Sequence, residues 1–313
     1  MTGFIDTHAH YNDEKFTHRS GEASALNKDA GPGQSGGEGS SRAAAGIDAA
    51  GLGAAGLEAA GIDAAGLGAA GPFADELDAV LLRARESGLI AAINCAEDAD
   101  TSEICIALAE KYDFIYAACG CHPHNASKVR PGDYERIYGL LKHQKAVAVG
   151  EAGLDYHYDF SPREAQWDCF RENIRLSKEL DLPLVVHDRE AHMDVMNILR
   201  EEKAPEGRVV FHCYSGSAEM AELIAGQGWY FSVGGAVTFK NARRIVEALA
   251  VIPDELLMLE TDCPYMTPEP FRGRRNDSSY VPLIAARIAE IKGVETGEIF
   301  GLTNANARRF FGI

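Results

Sequence analysis

Residues able to chelate a divalent cation recur in this 313-residue chain in one setting, at the end of an apolar run or just after it. His8 and His10 close Phe-Ile-Asp-Thr-His-Ala-His, and His122 and His124 stand in Gly-Cys-His-Pro-His behind the run 114–120. Glu151 ends the run Ala146–Glu151, His187 ends Pro-Leu-Val-Val-His, His212 ends Val-Val-Phe-His, and Asp262 follows Leu-Glu-Thr. Side chains alternate faces along a strand, so two histidines two residues apart point the same way and make half of a metal site. A lone histidine at a strand end is commonly a hydrogen-bonded core residue, and a lone aspartate there is commonly a turn residue. A whole set of them, each closing an apolar segment, fits metal chemistry better. Carboxylates aimed into a protein interior need cations, because burying an unpaired charge is costly. Two divalent ions overcompensate Glu151 and Asp262, and the charge left over suits a phosphate and an ionised water. The chemistry expected is hydrolysis by a water activated by two metal ions.

Bringing such distant residues together requires strand ends that share one rim. Strand-like segments cover Phe4–His8, Leu89–Asn94, Phe114–Gly120, Ala146–Glu151, Leu182–His187, Arg208–His212, Trp229–Gly234 and Leu256–Thr261. Helix-like segments cover Ala74–Ser87, Thr101–Lys111, Asp133–His143, Pro162–Leu180, Glu190–Lys203, Ser217–Gln227, Ala242–Ala250, Ser279–Lys292 and Thr303–Phe310. This alternation predicts an α/β fold, a closed parallel (β/α)8 TIM-like barrel in one domain spanning 1–313. Its C-terminal strand ends open onto a single mouth, where the candidate residues would converge. The alternative, an open doubly wound sheet, would call for a glycine-rich phosphate loop and a switch point, and the sequence offers neither.

Residues 27–72 break the pattern. Ala44–Glu58 and Ala59–Phe73 match at 13 of 15 positions, and a five-residue Ala-Ala-Gly-Leu/Ile beat runs inside each block. A step of five puts successive apolar residues on no common face of a helix and swaps faces in a strand. The expectation is a flexible low-complexity insert after strand one, a loose lid or tether on the mouth side. A formal charge of −17 argues against broad, sequence-blind adhesion to DNA or to an anionic membrane. Seven cysteines without a framework read as reduced thiols, and neither a signal peptide nor a span-length apolar run is present, so a cytoplasmic protein is expected.

The motifs as a set resemble the TatD-type deoxyribonuclease family of metal-dependent hydrolases: Phe-Ile-Asp-Thr-His-Ala-His at 4–10, Gly-Cys-His-Pro-His at 120–124, Gly-Glu-Ala-Gly-Leu-Asp-Tyr at 150–156, His-Asp-Arg-Glu-Ala at 187–191, His-Cys-Tyr-Ser-Gly at 212–216, Glu-Thr-Asp-Cys-Pro-Tyr at 260–265 and Arg-Arg-Asn at 274–276. The likeness covers nearly everything except 27–72. It implies a TIM-like barrel with two divalent ions (Zn, Mn, Fe or Mg), one held by His8, His10 and Asp262, the other by His187 and His212, with Glu151 bridging both. It also implies an exonuclease-like phosphodiesterase acting on DNA ends or single strands. Asp262 would serve as general base, with His122 and His124 touching phosphate or protonating the leaving oxygen. Lys240, Arg272, Arg274 and Arg275, in the loops after strands seven and eight, are the candidates for phosphate contact; solvated helix faces or loop anchors are the plainer reading of the same residues. Asp6 is expected to orient a ligand, Asp155 to organise the loop after Glu151, and Cys213 and Cys263 to point away from the site. Competing functions are an amide or ester hydrolase of the wider amidohydrolase type, a tRNA deacylase, and a metal-binding scaffold without catalysis.

Overall fold

Apolar runs too short for helices and rich in Val, Ile and Ala become strands buried on both sides, as parallel strands covered by helices must be. In chain order they are β1 (Phe4–Ala9), β2 (Leu89–Cys95), β3 (Ile115–Cys119), β4 (Ala146–Asp155), β5 (Leu184–Arg189), β6 (Val209–Phe211), β7 (Tyr230–Val233) and β8 (Leu257–Leu259). The computed structural model describes residues 3–16 and 77–313. The expected insert 27–72 lies outside the described residues, and so does the beginning of the helix expected from Ala74.

Each strand pairs in parallel with the next in sequence, from β1 through to β8. The two edges then meet: Ala9 bridges Cys263, the His10 N–H donates to the Cys263 carbonyl at 2.8 Å, and the Asp262 N–H donates to the His8 carbonyl at 2.9 Å. The expected barrel is therefore present, and its seam joins the segments carrying His8, His10 and Asp262.

Amphipathic helices surround it: α1 (Leu77–Glu86), α2 (Ala99–Lys111), α3 (Asp133–Leu140), α4 (Arg163–Leu180), α5 (His192–Glu201), α6 (Ala218–Ala225), α7 (Arg243–Leu249), α8 (Val281–Lys292) and α9 (Thr296–Phe311). α9 starts seven residues before the expected Thr303, because a capping box between Glu295 and Glu298 nucleates it and Ile299 and Phe300 are buried beneath it. Inside the barrel Ile5, Ile93, Ala118, Val185, Val210 and Met258 form an apolar filling with Phe310 and Phe311 of α9. Asn304 of α9 bonds the Gly3 carbonyl and the Ile5 N–H, so this plug sits where the strands begin. That leaves the opposite end for chemistry.

Two register shifts prepare that end. One falls in β1 between Asp6 and Ala9, the other in β4 between Val149 and Ala152, so His8 and Glu151 both stand in an irregularity of the ladder. Such bulges re-aim a side chain. β4 and β5 also run on to Asp155 and Arg189, beyond their expected ends. Gly153 permits this: it has φ +149°, and a methyl group there would collide with the His187 carbonyl of β5. The sequence pattern shows apolar runs but not which glycine lets two strands approach so closely.

Candidate metal centre

Every strand-end residue singled out from the sequence as a ligand arrives at one place. The Glu151 carboxylate, with a side chain 3 % exposed, lies in the middle. Its Oε2 is 3.1 Å from His8 Nε2 and 3.3 Å from His10 Nε2, and these two nitrogens are 3.0 Å from each other. Its Oε1 is 2.6 Å from His187 Nδ1 and 2.8 Å from His212 Nε2, which are themselves 3.2 Å apart. Asp262 Oδ1 closes the first group, 3.5 Å from His10 Nε2 and 3.9 Å from His8 Nε2. Asp262 takes a left-handed conformation, φ 57°, which a short polar side chain tolerates better than most.

The donor atoms fit divalent cations. Each oxygen of Glu151 forms a triangle with two imidazole nitrogens, with edges of 2.6–3.3 Å. Atoms spaced this way can each stand about 2 Å from a common centre. Nitrogens facing each other as well as a carboxylate are converging lone pairs more than a chain of hydrogen bonds. The far side of several rings fixes the tautomer that this requires. His10 Nδ1 is 3.0 Å from the Cys95 carbonyl, which can only accept, so Nε2 keeps its lone pair. His187 Nε2 faces Asp155 Oδ2 at 3.2 Å, leaving Nδ1 for the cluster.

Electrostatics agree. Burial alone would raise the Glu151 carboxyl, yet His212, His122 and His8 around it hold it well below the ordinary range. Burial would pull the His10 imidazole down, but Asp262 and Glu151 push it well above its usual value. The two carboxylates thus draw positive charge into a buried space, and protons and metal ions compete for the same lone pairs.

Sets of three buried or half-buried ligand-type side chains recur here: His8, His10 and Asp262; His122, Glu151 and His187; and His8, His212 and Glu260. The last two sets include residues outside the expected ligand list. Glu260 is fully buried, accepts the Cys213 N–H at 2.6 Å, and lies 3.8 Å from His212 Nδ1. Among the described residues its other oxygen and that Nδ1 have no hydrogen-bond partner. Asp155 does organise the loop after Glu151, accepting the His157 and Tyr158 N–H groups on Oδ1, but its Oδ2 also faces both His187 and His124. A signal for both was available: Glu260 is two residues from Asp262 just past its apolar run, and Asp155 is four from Glu151.

The two histidines of the loop after β3 separate. His122 Nε2 points inward, 3.3 Å from Glu151 Oε1, and burial depresses its pKa to about 3. His124 faces the rim, with a side chain 27 % exposed and Nε2 2.8 Å from Asp155 Oδ2. Asp6 does not orient a histidine ring. Its carboxylate accepts the N–H and hydroxyl of Thr261 and the Ser278 hydroxyl, because the register shift after Asp6 breaks the alternation that would have aligned it with His8. Burial raises its pKa to about 7. Of the basic candidates, Lys240 is exposed, and Arg272, Arg274 and Arg275 lie over the rings of Phe239, Phe271 and Phe16. Arg275 also donates to the Lys15 carbonyl, a loop anchor.

The TatD related DNase family pattern matches residues 66–312. The chain is 44 % identical over 238 residues to the uncharacterized metal-dependent hydrolase YabD of Bacillus subtilis, covering 76 % of this chain and 93 % of that protein. It is 32 % identical over 247 residues to a protein of Erwinia tasmaniensis named 3'-5' ssDNA/RNA exonuclease TatD, covering 77 % and 95 %. The solved structure of YjjV, a TatD homolog from Escherichia coli, superposes with a TM-score of 0.72 at 32 % identity, over 77 % of this chain and 94 % of that one. A phosphotriesterase homology protein from Escherichia coli shares the fold, with a TM-score of 0.60 at 11 % identity.

Proposed function

This chain belongs to the TatD family of metal-dependent hydrolases, and we propose that it is a phosphodiesterase acting on DNA ends or single strands, an exonuclease-like enzyme with two divalent ions. The observation that carries the reading is Glu151, whose two carboxylate oxygens each face a separate pair of imidazoles. His8, His10 and Asp262 would hold one ion, His187 and His212 the other, and Glu151 both. Divalent ions such as Zn, Mn or Mg supply Lewis acidity toward a phosphate and lower the pKa of water.

The protein's own groups divide the remaining work. The Asp262 side chain is 17 % exposed against 3 % for Glu151, so it is the carboxylate that meets a substrate entering from the mouth. It takes the proton of the attacking water as the new phosphorus–oxygen bond forms in line with the bond that breaks. His124, held by Asp155 at the rim, gives a proton to the leaving oxygen. His122 keeps its ring toward Glu151 and helps fix that carboxylate. Lys240, Arg272, Arg274 and Arg275, in the loops after β7 and β8, take flanking phosphates. The name carried by the Erwinia tasmaniensis relative, a single-strand DNA and RNA exonuclease, supports the substrate class.

The test is one metal-reconstituted preparation offered a labelled single-stranded DNA, a carboxyl ester and an acylated tRNA side by side. Cleavage of the DNA is expected. Hydrolysis of the ester or the acylated tRNA with the DNA intact would overturn the assignment.

A further inference from the structure

Of the exposed large apolar side chains among the described residues, Leu82, Ile104, Met193 and Leu223 stand singly on outer helices, and single ones need no explanation. Tyr158 and Phe160 differ. They are 53 % and 66 % exposed, and their rings stack on each other with centroids 5.4 Å apart and planes 26° from parallel. They stand in the loop that leaves β4 immediately after Asp155, on the mouth side. His124 packs edge-on against both, 4.8 Å from Phe160 and 5.7 Å from Tyr158. The His124 ring is in turn 6.0 Å from that of His187. Two ring-to-ring steps therefore lead from an exposed aromatic face to the candidate metal centre.

The backbone of this loop is tied by hydrogen bonds. Asp155 Oδ1 accepts the Tyr158 N–H at 2.8 Å, the Ser161 hydroxyl donates to the His124 carbonyl at 3.0 Å, and Gln166 Nε2 donates to the Ser161 carbonyl at 2.8 Å. A chain that leaves two aromatic rings in water, and fixes the backbone that does so, keeps a flat apolar surface ready beside the reaction site. The charges suit a polyanion. The Arg189 guanidinium lies 6.0 Å from the Tyr158 ring centre, while carboxylates of the same surroundings are engaged, Asp155 with His124 at 2.8 Å, Asp159 with Arg163 at 3.5 Å and Glu190 with His157 at 3.0 Å.

We propose that Tyr158 and Phe160, with His124 at their inner edge, form a stacking platform for a nucleobase of a single-stranded nucleic acid whose phosphate lies at the metal centre. This rests on the phosphodiesterase reading above. Every base has a π-face, so such a platform grips single strands without reading sequence, and a base paired within a duplex cannot reach it.

The metal-loaded full chain is assayed on a single-stranded DNA oligonucleotide and on the same oligonucleotide with abasic sugars near the cleaved end. Changing Tyr158→Ala together with Phe160→Ala is expected to lower kcat/KM on the normal strand about 10- to 100-fold, mostly through KM. On the abasic strand the ratio of wild type to variant falls toward one. Tyr158→Phe with Phe160→Tyr, which keeps both rings, retains the wild-type rate. Equal losses on the two strands, or no loss on either, would overturn the platform while the wild type's cleavage leaves the phosphodiesterase reading standing. A wild type that cleaves neither strand would sink both.

Discussion

Asp155 Oδ2 lies 3.2 Å from His187 Nε2, while the opposite nitrogen of the same ring is 2.6 Å from Glu151. One carboxylate thus sets the tautomer of a ring whose other face belongs to the cluster. Changing Asp155→Asn keeps the shape but removes the charge that holds the His187 proton. Metal affinity should drop about 10- to 100-fold, as measured by competition with a chelating dye. An unaltered affinity would mean that Asp155 serves only the loop it caps.

Glu151 is the shared member of both halves of the centre. Glu151→Gln offers one carbonyl oxygen and no charge, so both ions should be lost together and hydrolysis should fall to the metal-free background. Circular dichroism establishes that the variant is folded, and elemental analysis counts the metal. Retention of one full equivalent would show that the halves are independent.

Gly153 allows β4 to pass the His187 carbonyl at a backbone angle that other residues avoid. Gly153→Ala adds both a clash and a strained conformation, each on the order of 1–3 kcal/mol. A lower urea midpoint and a weakened His187 position, seen as lost metal affinity, should appear together. A midpoint equal to wild type would show that the strands part without cost.

The chain is acidic, and its candidate phosphate contacts are confined to two loops. Binding of a single strand to Arg272→Ala with Arg274→Ala should weaken severalfold, with a shallower dependence on salt. In the wild type the slope of log affinity against log salt should correspond to only about two to four phosphates. A slope of ten would contradict this and require a long basic track.

Much of the fold is legible in the sequence. The strands are legible because each apolar run is short and bounded, and the candidate ligands because each closes such a run or directly follows one. His8 and His187 both meet Glu151, at 3.1 and 2.6 Å. Three features are not legible. The shifts in β1 and β4 leave no mark in an apolar pattern, and so the expectation that Asp6 orients a ligand fails. Glu260 and Asp155 stand close in sequence to candidate ligands, but closeness alone does not distinguish a ring-orienting partner from a turn residue. The separation of His122 from His124 depends on the turn at Pro123, which sends one ring toward Glu151 and the other toward Asp155.

The most direct measurement is to strip the protein with a chelator and add back a divalent metal stepwise while following cleavage of a labelled single-stranded DNA. Cleavage should vanish on stripping and return fully at about two equivalents per chain. Undiminished cleavage by the stripped protein, or full recovery at one equivalent, would contradict a centre in which Glu151 joins two ions.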